Sequence, residues 1–264
     1  MKGASWERPC VATADESRAR RCLARRCRFR VVAFVEVVSG VWAPPTDKEE
    51  RMGRLTIATF MTLDGVMQAP GGPDEDRDGG FEHGGWSFPY FSENKGAVIG
   101  KNFSRADCFL LGRRTYEIFA ASWPNFPDED DPVASQLNTL PKYVVSSTLE
   151  TADWQPTTII RGDVLSEVVK LTDRYEGEIQ VHGSAGLAQM LHARGLIDEY
   201  RLFIEPVVLG TGKRLFEPGA APAALQLVDS RPIGNGSVLA TYQPVGRPTY
   251  GEFQMEEGFG LPGT

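Results

Sequence analysis

Three apolar stretches of the chain end in residues whose types suit an anion. "FLLGRRT" ends in Gly112, Arg113, Arg114 and Thr115; "YVVSSTL" carries Ser146 and Ser147; "QVHGSAGL" runs into Gly183, Ser184, Ala185 and Gly186. Small residues let a backbone reverse sharply. The N–H groups at a following helix start, with the positive end of its dipole, attract phosphate. The third stretch matches neither G-x-G-x-x-G nor a Walker A loop, so alone it reads first as a bare strand-to-helix turn. The first is more telling. Arg113 and Arg114 fall at a predicted helix N-terminus, where cations are disfavoured. Either both side chains reach into water, or they hold an anion, which the planar guanidinium fork matches well. An Arg beside an adenosine ribose suits a 2′-phosphate and so NADPH. Ser146 and Ser147 offer hydroxyls to the same group, and Gly183 to Ala185 then meet a pyrophosphate.

Two carboxylates stand out. Asp64, in "TLDG", follows the first strand-like segment, where Asp-Gly is also a common turn pair. Glu205 interrupts the apolar run "LFIEPVV". A buried carboxylate is costly unless paired, so Glu205 is either satisfied locally or used on a substrate. Lys213 and Arg214, in "GTGKRLF", read as a solvated loop. Of the three histidines, His182 and His192 read as structural, and His83 sits in a long loop. Trp86, Phe88, Tyr90 and Phe91 read equally as the lining of a flat aromatic pocket and as core.

The elements that must position these residues alternate. "LTIATF", "DCFLLG", "KYVVS", "TTIIRG" and "EIQVHG" read as strands, with helices over 92–103, from Arg113, near 133–140, after Asp163 as N-cap, and from Ala185 to a stop at Gly195. "DEYRLFIEPVVLG" reads as one long strand, and "LQLVDSRPIGNGSVLATYQP" as a closing hairpin turning at Gly234 to Gly236. Between the first strand and helix lies a long loop rich in Gly, Pro and charge, of the kind that forms lids. The alternation predicts an α/β fold: a mostly parallel sheet, helices on both faces and antiparallel strands at the C-terminal end. In such sheets the three turns share one edge, where ligands bind.

Composition narrows the function classes. The 264 residues carry a net charge of −7 and are 41% hydrophobic and 24% charged. This fits a soluble domain and argues against a nucleic-acid partner. Residues 1–51 are instead net basic and hold Cys10, Cys22 and Cys27, three of the four cysteines. Their apolar run is broken by Glu36 and is too short to span a bilayer; no second Cys/His pair supports a metal site. They read as a disordered or non-native extension before Met52. Cys108 alone remains in the globular part, which suits a reducing, cytoplasmic compartment. The Gly- and Pro-rich residues 246–264 read as a flexible tail.

"TLDG", "GRRTYE", "KYVVSSTL", "GSAGL" and "GLIDEYRLFIEPVVLGTGKRLF", in this order, resemble the reductase family typified by the C-terminal domain of the bacterial riboflavin-biosynthesis deaminase-reductase. The resemblance covers about residues 53–243. It implies a dihydrofolate-reductase-like three-layer sandwich over residues 53–245, a homodimer, NADPH as hydride donor, and a pteridine- or pyrimidine-like substrate. It places Gly112, Arg113, Thr115, Ser146, Ser147, Gly183, Ser184 and Ala185 on the cofactor and favours a cofactor or substrate contact for Asp64; from their own positions Arg114 joins the cofactor candidates, and Asp64 and Glu205 are the catalytic candidates. A non-catalytic module holding a nucleotide or pterin is the alternative. Neither H-x-E nor P-C-x-x-C is present, so the zinc deaminase half is not expected. The acidic loop over 71–80 departs from the family pattern and puts the riboflavin-pathway substrate in question.

Overall fold

The structure is a computed structural model that describes residues 51–126 and 131–251. The extension expected over 1–51, Arg51 apart, lies outside them, as does the expected tail beyond Gly251.

Eight strands form one sheet: β1 (Arg54–Thr62), β2 (Ala106–Gly112), β3 (Lys142–Val145), β4 (Thr157–Ile160), β5 (Glu178–His182), β6 (Glu199–Glu205), β7 (Ala224–Gly234) and β8 (Ser237–Gly246). Their spatial order is β4-β3-β2-β5-β1-β6-β8-β7. The first six are mutually parallel, and β8 runs antiparallel to both β6 and β7. Five helices join them: α1 (Glu93–Phe103), α2 (Arg113–Ser122), α3 (Pro132–Thr139), α4 (Val164–Arg174) and α5 (Ala185–Ala193).

Alternation along β2 shows how the layers are built, because successive strand residues point to opposite faces. Cys108 and Leu110 pack in a cluster with Val168 and Leu171 of α4 and Leu187 and Leu191 of α5. Phe109 and Leu111 pack in another with Phe103 of α1, Tyr116 of α2 and Val133 and Leu137 of α3. The expected three-layer α/β sandwich is therefore the observed one.

Local chemistry accounts for the element ends. Ser92 caps α1 by accepting from Lys95 N–H at 3.1 Å, and Asp163 caps α4 by accepting from Ser166 N–H at 3.2 Å. The β7–β8 hairpin turns on Asn235 and Gly236, both at positive φ, which is the two-residue turn that matches strand twist. Two expectations change. The long strand expected through Leu209 stops at Glu205, since Pro206 has no N–H for a ladder; Val207 N–H instead turns back onto Glu205 C=O at 2.8 Å. At the other end, β8 continues to Gly246, where the tail was expected to begin. The long loop after β1 is irregular apart from two single-turn 3-10 helices, Asp78–Gly80 and Phe88–Tyr90.

Candidate active site

Parallel strands end on one edge of the sheet, so the strand order fixes the order of the loops beyond them. From β4 to β6 that edge presents Gly162, Ser146 and Ser147, Gly112 to Thr115, Gly183 to Ala185, Asp64 and Glu205. All the candidate residues share this edge, but they divide into groups with different work.

The turns after β2 and β5 are bolted together. Gly112 N–H donates to Ser184 Oγ at 2.9 Å, Ser184 Oγ donates to His182 C=O at 2.9 Å, and Ser184 N–H donates to Thr115 Oγ1 at 3.0 Å. Ser184 is held left-handed, at φ 54°. Gly183, at φ 51°, has Thr115 Oγ1 only 3.3 Å from where a Cβ would stand. Ser184 and Thr115 thus spend their hydroxyls on each other's turns. The first N–H groups of a helix lack intrahelical partners, and the Ser184 side chain does not cap those of α5. That leaves the α5 start, at Ala185, as the anion-seeking group of this turn.

Beside it, Arg113, Ser146, Ser147, Arg161 and Gly162 line a cleft of about 390 Å³ between the ends of β3 and β4 and the start of α2. Ser146 is buried and its Oγ accepts from Thr148 and Leu149 N–H, at 3.1 and 2.9 Å, so it shapes the turn. Ser147 is exposed. Arg113 pairs with Glu117 one helical turn on, at 2.8 Å, an exposed pair worth only about 0.3–0.5 kcal/mol and easily given up to a stronger anion. Arg161 and Gly162 were missed from sequence, where they read as the end of a strand.

Arg114 does not join this cleft. Its guanidinium reaches Asp76 Oδ1 at 2.6 Å. Lys213 takes the other oxygen of Asp76 at 2.8 Å and also Asp78 at 2.8 Å. Gln68 organises this loop: its Nε2 donates to the carbonyls of Asp76 and Asp78, and its Oε1 accepts from Lys213 N–H. Neither Lys213 nor Arg214 is the solvated side chain expected; Arg214 donates to the Asp64 carbonyl at 2.9 Å and contacts its carboxylate at 3.3 Å.

Asp64 accepts from Thr62 Oγ1 at 2.6 Å, Gly210 N–H at 2.8 Å and Leu209 N–H at 3.2 Å. Thr62 foremost, with the two backbone donors, holds its pKa at about 2 against the opposing effect of burial. Such a carboxylate carries no proton at neutral pH. Through these contacts Asp64 ties the end of β1 to the loop after β6. Glu205 is also fully engaged. It is 0% exposed and receives Lys95 Nζ at 2.5 Å and Ser87 Oγ at 3.3 Å on one oxygen, and Ser237 Oγ on the other. Of the two readings left open, local satisfaction is the one observed. Lys95, on α1, went unnoticed in the sequence because a helix-face lysine ordinarily points to water.

The histidines divide largely as expected. His182 is buried, stacks on Phe103 at 4.2 Å and donates its Nε2–H to Gln180 Oε1 at 3.0 Å; burial, with Arg201 nearby, pushes its pKa down to about 3. His192 bonds Tyr200 and the Ala221 carbonyl. His83 lies exposed against Phe81. Trp86 is core, with its indole N–H on the Gln68 carbonyl at 2.7 Å, whereas Phe88 and Phe91 stack together in the open. Among the described residues no group of three metal-ligating side chains occurs, and no helix is long and apolar enough to cross a membrane.

Comparison with known proteins bears on the family and the fold. The chain is 33% identical over 141 residues to the uncharacterized protein YyaP of Bacillus subtilis (strain 168), covering 53% of this chain and 74% of that one. It is 26% identical over 137 residues to a second uncharacterized protein of that organism, YwjB, again covering 74% of it. A Shewanella sp. PV-4 protein, provisionally assigned to riboflavin biosynthesis, superimposes with a TM-score of 0.55 at 19% identity, over 72% of this chain and 98% of that one. Acinetobacter baumannii RibD superimposes with a TM-score of 0.50 at 14% identity, over 74% of this chain and 58% of that one. These two likenesses establish the fold. The RibD C-terminal domain model matches residues 54–239, and the chain belongs to that family.

Proposed function

We propose that this protein is an NADPH-dependent reductase that transfers a hydride to a small pteridine- or pyrimidine-like ring. The observation that carries the proposal is the cleft formed by Arg113, Ser146, Ser147, Arg161 and Gly162. It adjoins a locked glycine turn whose helix start is uncapped. Arg113 and Arg161, with the Ser147 hydroxyl, would hold the 2′-phosphate and Ala185 and its neighbours the pyrophosphate. The absence of a Cβ at Gly183 keeps that turn open. When bound, NADPH supplies the hydride; the chain's own residues orient the reactants and exclude water. Asp64 fixes the loop that faces the cofactor across the edge. Glu205, with Lys95, fixes α1 against β6 from below. Asp64 is ionised at neutral pH, and in this reading water delivers the proton to the reduced ring.

That same feature favours the second reading, a module that holds nucleotide or pterin without turnover. Incubating the protein with NADPH and a panel of pteridines and aminopyrimidines, while following reduced-nicotinamide absorbance, separates the two. Consumption that requires the ring compound supports the reductase; binding of NADPH without consumption across the panel supports the module. The proposal includes a cytoplasmic homodimer, supported by β7. Among the described residues this edge strand pairs only with β8, and it leaves Leu227 and Val228, at its bulge, exposed. Replacing Val228 with Lys is expected to shift the sedimentation coefficient to that of a monomer.

A further inference from the structure

Building on the reading of this edge as the ligand site, we propose that Asp76 is a specificity-determining residue: it fills an internal anion clamp and thereby excludes phosphorylated substrates. Two cations reach into the substrate side of the edge from separate elements. Arg114 comes from the first turn of α2 and Lys213 from the loop after β6. A guanidinium and an ammonium converging on one point make a fitting receptor for a phosphomonoester dianion. Here the chain supplies the anion itself. The two oxygens of Asp76 are divided between the clamp arms, at 2.6 Å to Arg114 and 2.8 Å to Lys213, and Asp78 adds a second carboxylate on Lys213. Two positive and two negative charges cancel. Of the neighbouring cations, Arg214 faces Asp64 and Arg77 faces Asp74.

The arrangement is built rather than incidental. The Asp76 side chain is only 10% exposed. Its position is set by Gln68, which is itself buried and grips the loop through the backbone carbonyls of Asp76 and Asp78. Glu75 adds a second hold by accepting from the N–H groups of Gly71 and Gly72. The carboxylates are therefore presented to the clamp by a loop held mainly through Gln68 and Glu75, to which Asp76 adds one bond of its own by accepting from Asp78 N–H at 3.1 Å. A phosphate arriving there meets no net positive charge and must displace both carboxylates from hydrogen-bonded partners. The clamp thus takes no phosphate, which the edge leaves to the Arg113 cleft and the start of α5. The substrate for the β1–β6 side is an uncharged ring without a phosphate arm.

The test is calorimetric titration of ribose 5-phosphate and of ribose, in the absence of any nicotinamide, into the wild type, Lys213→Met, Asp76→Asn/Asp78→Asn, and the same double variant carrying Lys213→Met. The wild type is expected to show no ribose 5-phosphate binding that Lys213→Met removes. The double variant is expected to gain at least tenfold in affinity for ribose 5-phosphate but not for ribose, and Lys213→Met is expected to abolish the gain. Any phosphate taken by the Arg113 cleft is insensitive to Lys213 and so is set apart. Wild-type binding of ribose 5-phosphate that Lys213→Met removes overturns the proposal. So does a folded double variant with no gain. If the double variant does not fold, Asp76→Asn alone is read in the same way. Because no cofactor is present, failure here leaves the NADPH reading standing. Failure of NADPH to bind leaves this result intact.

Discussion

Replacing Lys95 with Met tests how the substrate-side floor of the site is held together. Lys95 is 1% and Glu205 0% exposed, and their charges meet at 2.5 Å beneath Phe60, whose ring lies 5.2 Å from the ammonium. Removing the lysine strands a carboxylate among apolar groups with only two serine hydroxyls for company. Breaking a buried pair from one side costs about 3–5 kcal/mol. In a domain of this size each kcal/mol lowers Tm by about 2–4 °C, so the expected loss is about 6–20 °C. The double variant Lys95→Met/Glu205→Leu removes both charges. Apolar replacement of a whole buried pair is often neutral or stabilising, but here Ser87 and Ser237 lose their acceptor, at about 1–3 kcal/mol for each hydroxyl left unpaired. The double variant should therefore recover part, not all, of the single variant's loss. Urea unfolding followed by circular dichroism measures both. A loss below about 1 kcal/mol in Lys95→Met, or a double variant no more stable than the single, would refute the assignment of this pair as a buried, mutually dependent unit.

Three further outcomes follow from the same contacts. The Asp64 pKa is depressed to about 2 from 3.8, so its contribution to stability is complete above pH 4 and disappears as pH falls towards 2; in Asp64→Asn, acid unfolding curves should lack that component. His182 is neutral when folded, with a pKa near 3 against 6.5. The unfolded chain takes up its proton first, so stability falls from about pH 6.5 down to about 3; an NMR titration that showed this ring charging at pH 6 in the folded protein would contradict its placement. Gly212 sits at φ 118°, and a Cβ there would stand 2.6 Å from Val66 Cγ1 and 2.8 Å from Phe81 Cε2. Gly212→Ala is expected to cost about 2–5 kcal/mol, from left-handed strain and overpacking together, read as a fall in the urea midpoint.

What the sequence disclosed was chemistry between near neighbours. Asp163 caps its helix because it bonds an N–H three residues on. Asn235 and Gly236 turn the hairpin because both accept positive φ. Strand ends on one edge followed from alternation alone. The misreadings concern partners far apart in the chain. Arg114 meets Asp76 across 38 residues and Lys95 meets Glu205 across 110. On β5, Glu178, Gln180 and His182 alternate with apolar residues as a solvent-facing row would. They are nevertheless buried, joined to Arg201 and to Asn102 on α1. Periodicity reports which residues share a face, and only the tertiary packing decides whether water or a partner meets it.

The most direct test of the account is a pair of titrations with NADPH and NADH, followed by reduced-nicotinamide fluorescence, on the wild type and on Arg113→Met. Charge-assisted hydrogen bonds to a 2′-phosphate are worth about 1.5–3 kcal/mol each. The wild type should bind NADPH about 10- to 100-fold more tightly than NADH, and Arg113→Met should remove most of that difference while leaving NADH unchanged. Equal affinity for the two nucleotides in the wild type, or no binding of either, would contradict the reading of the Arg113 cleft as the seat of the cofactor's phosphate.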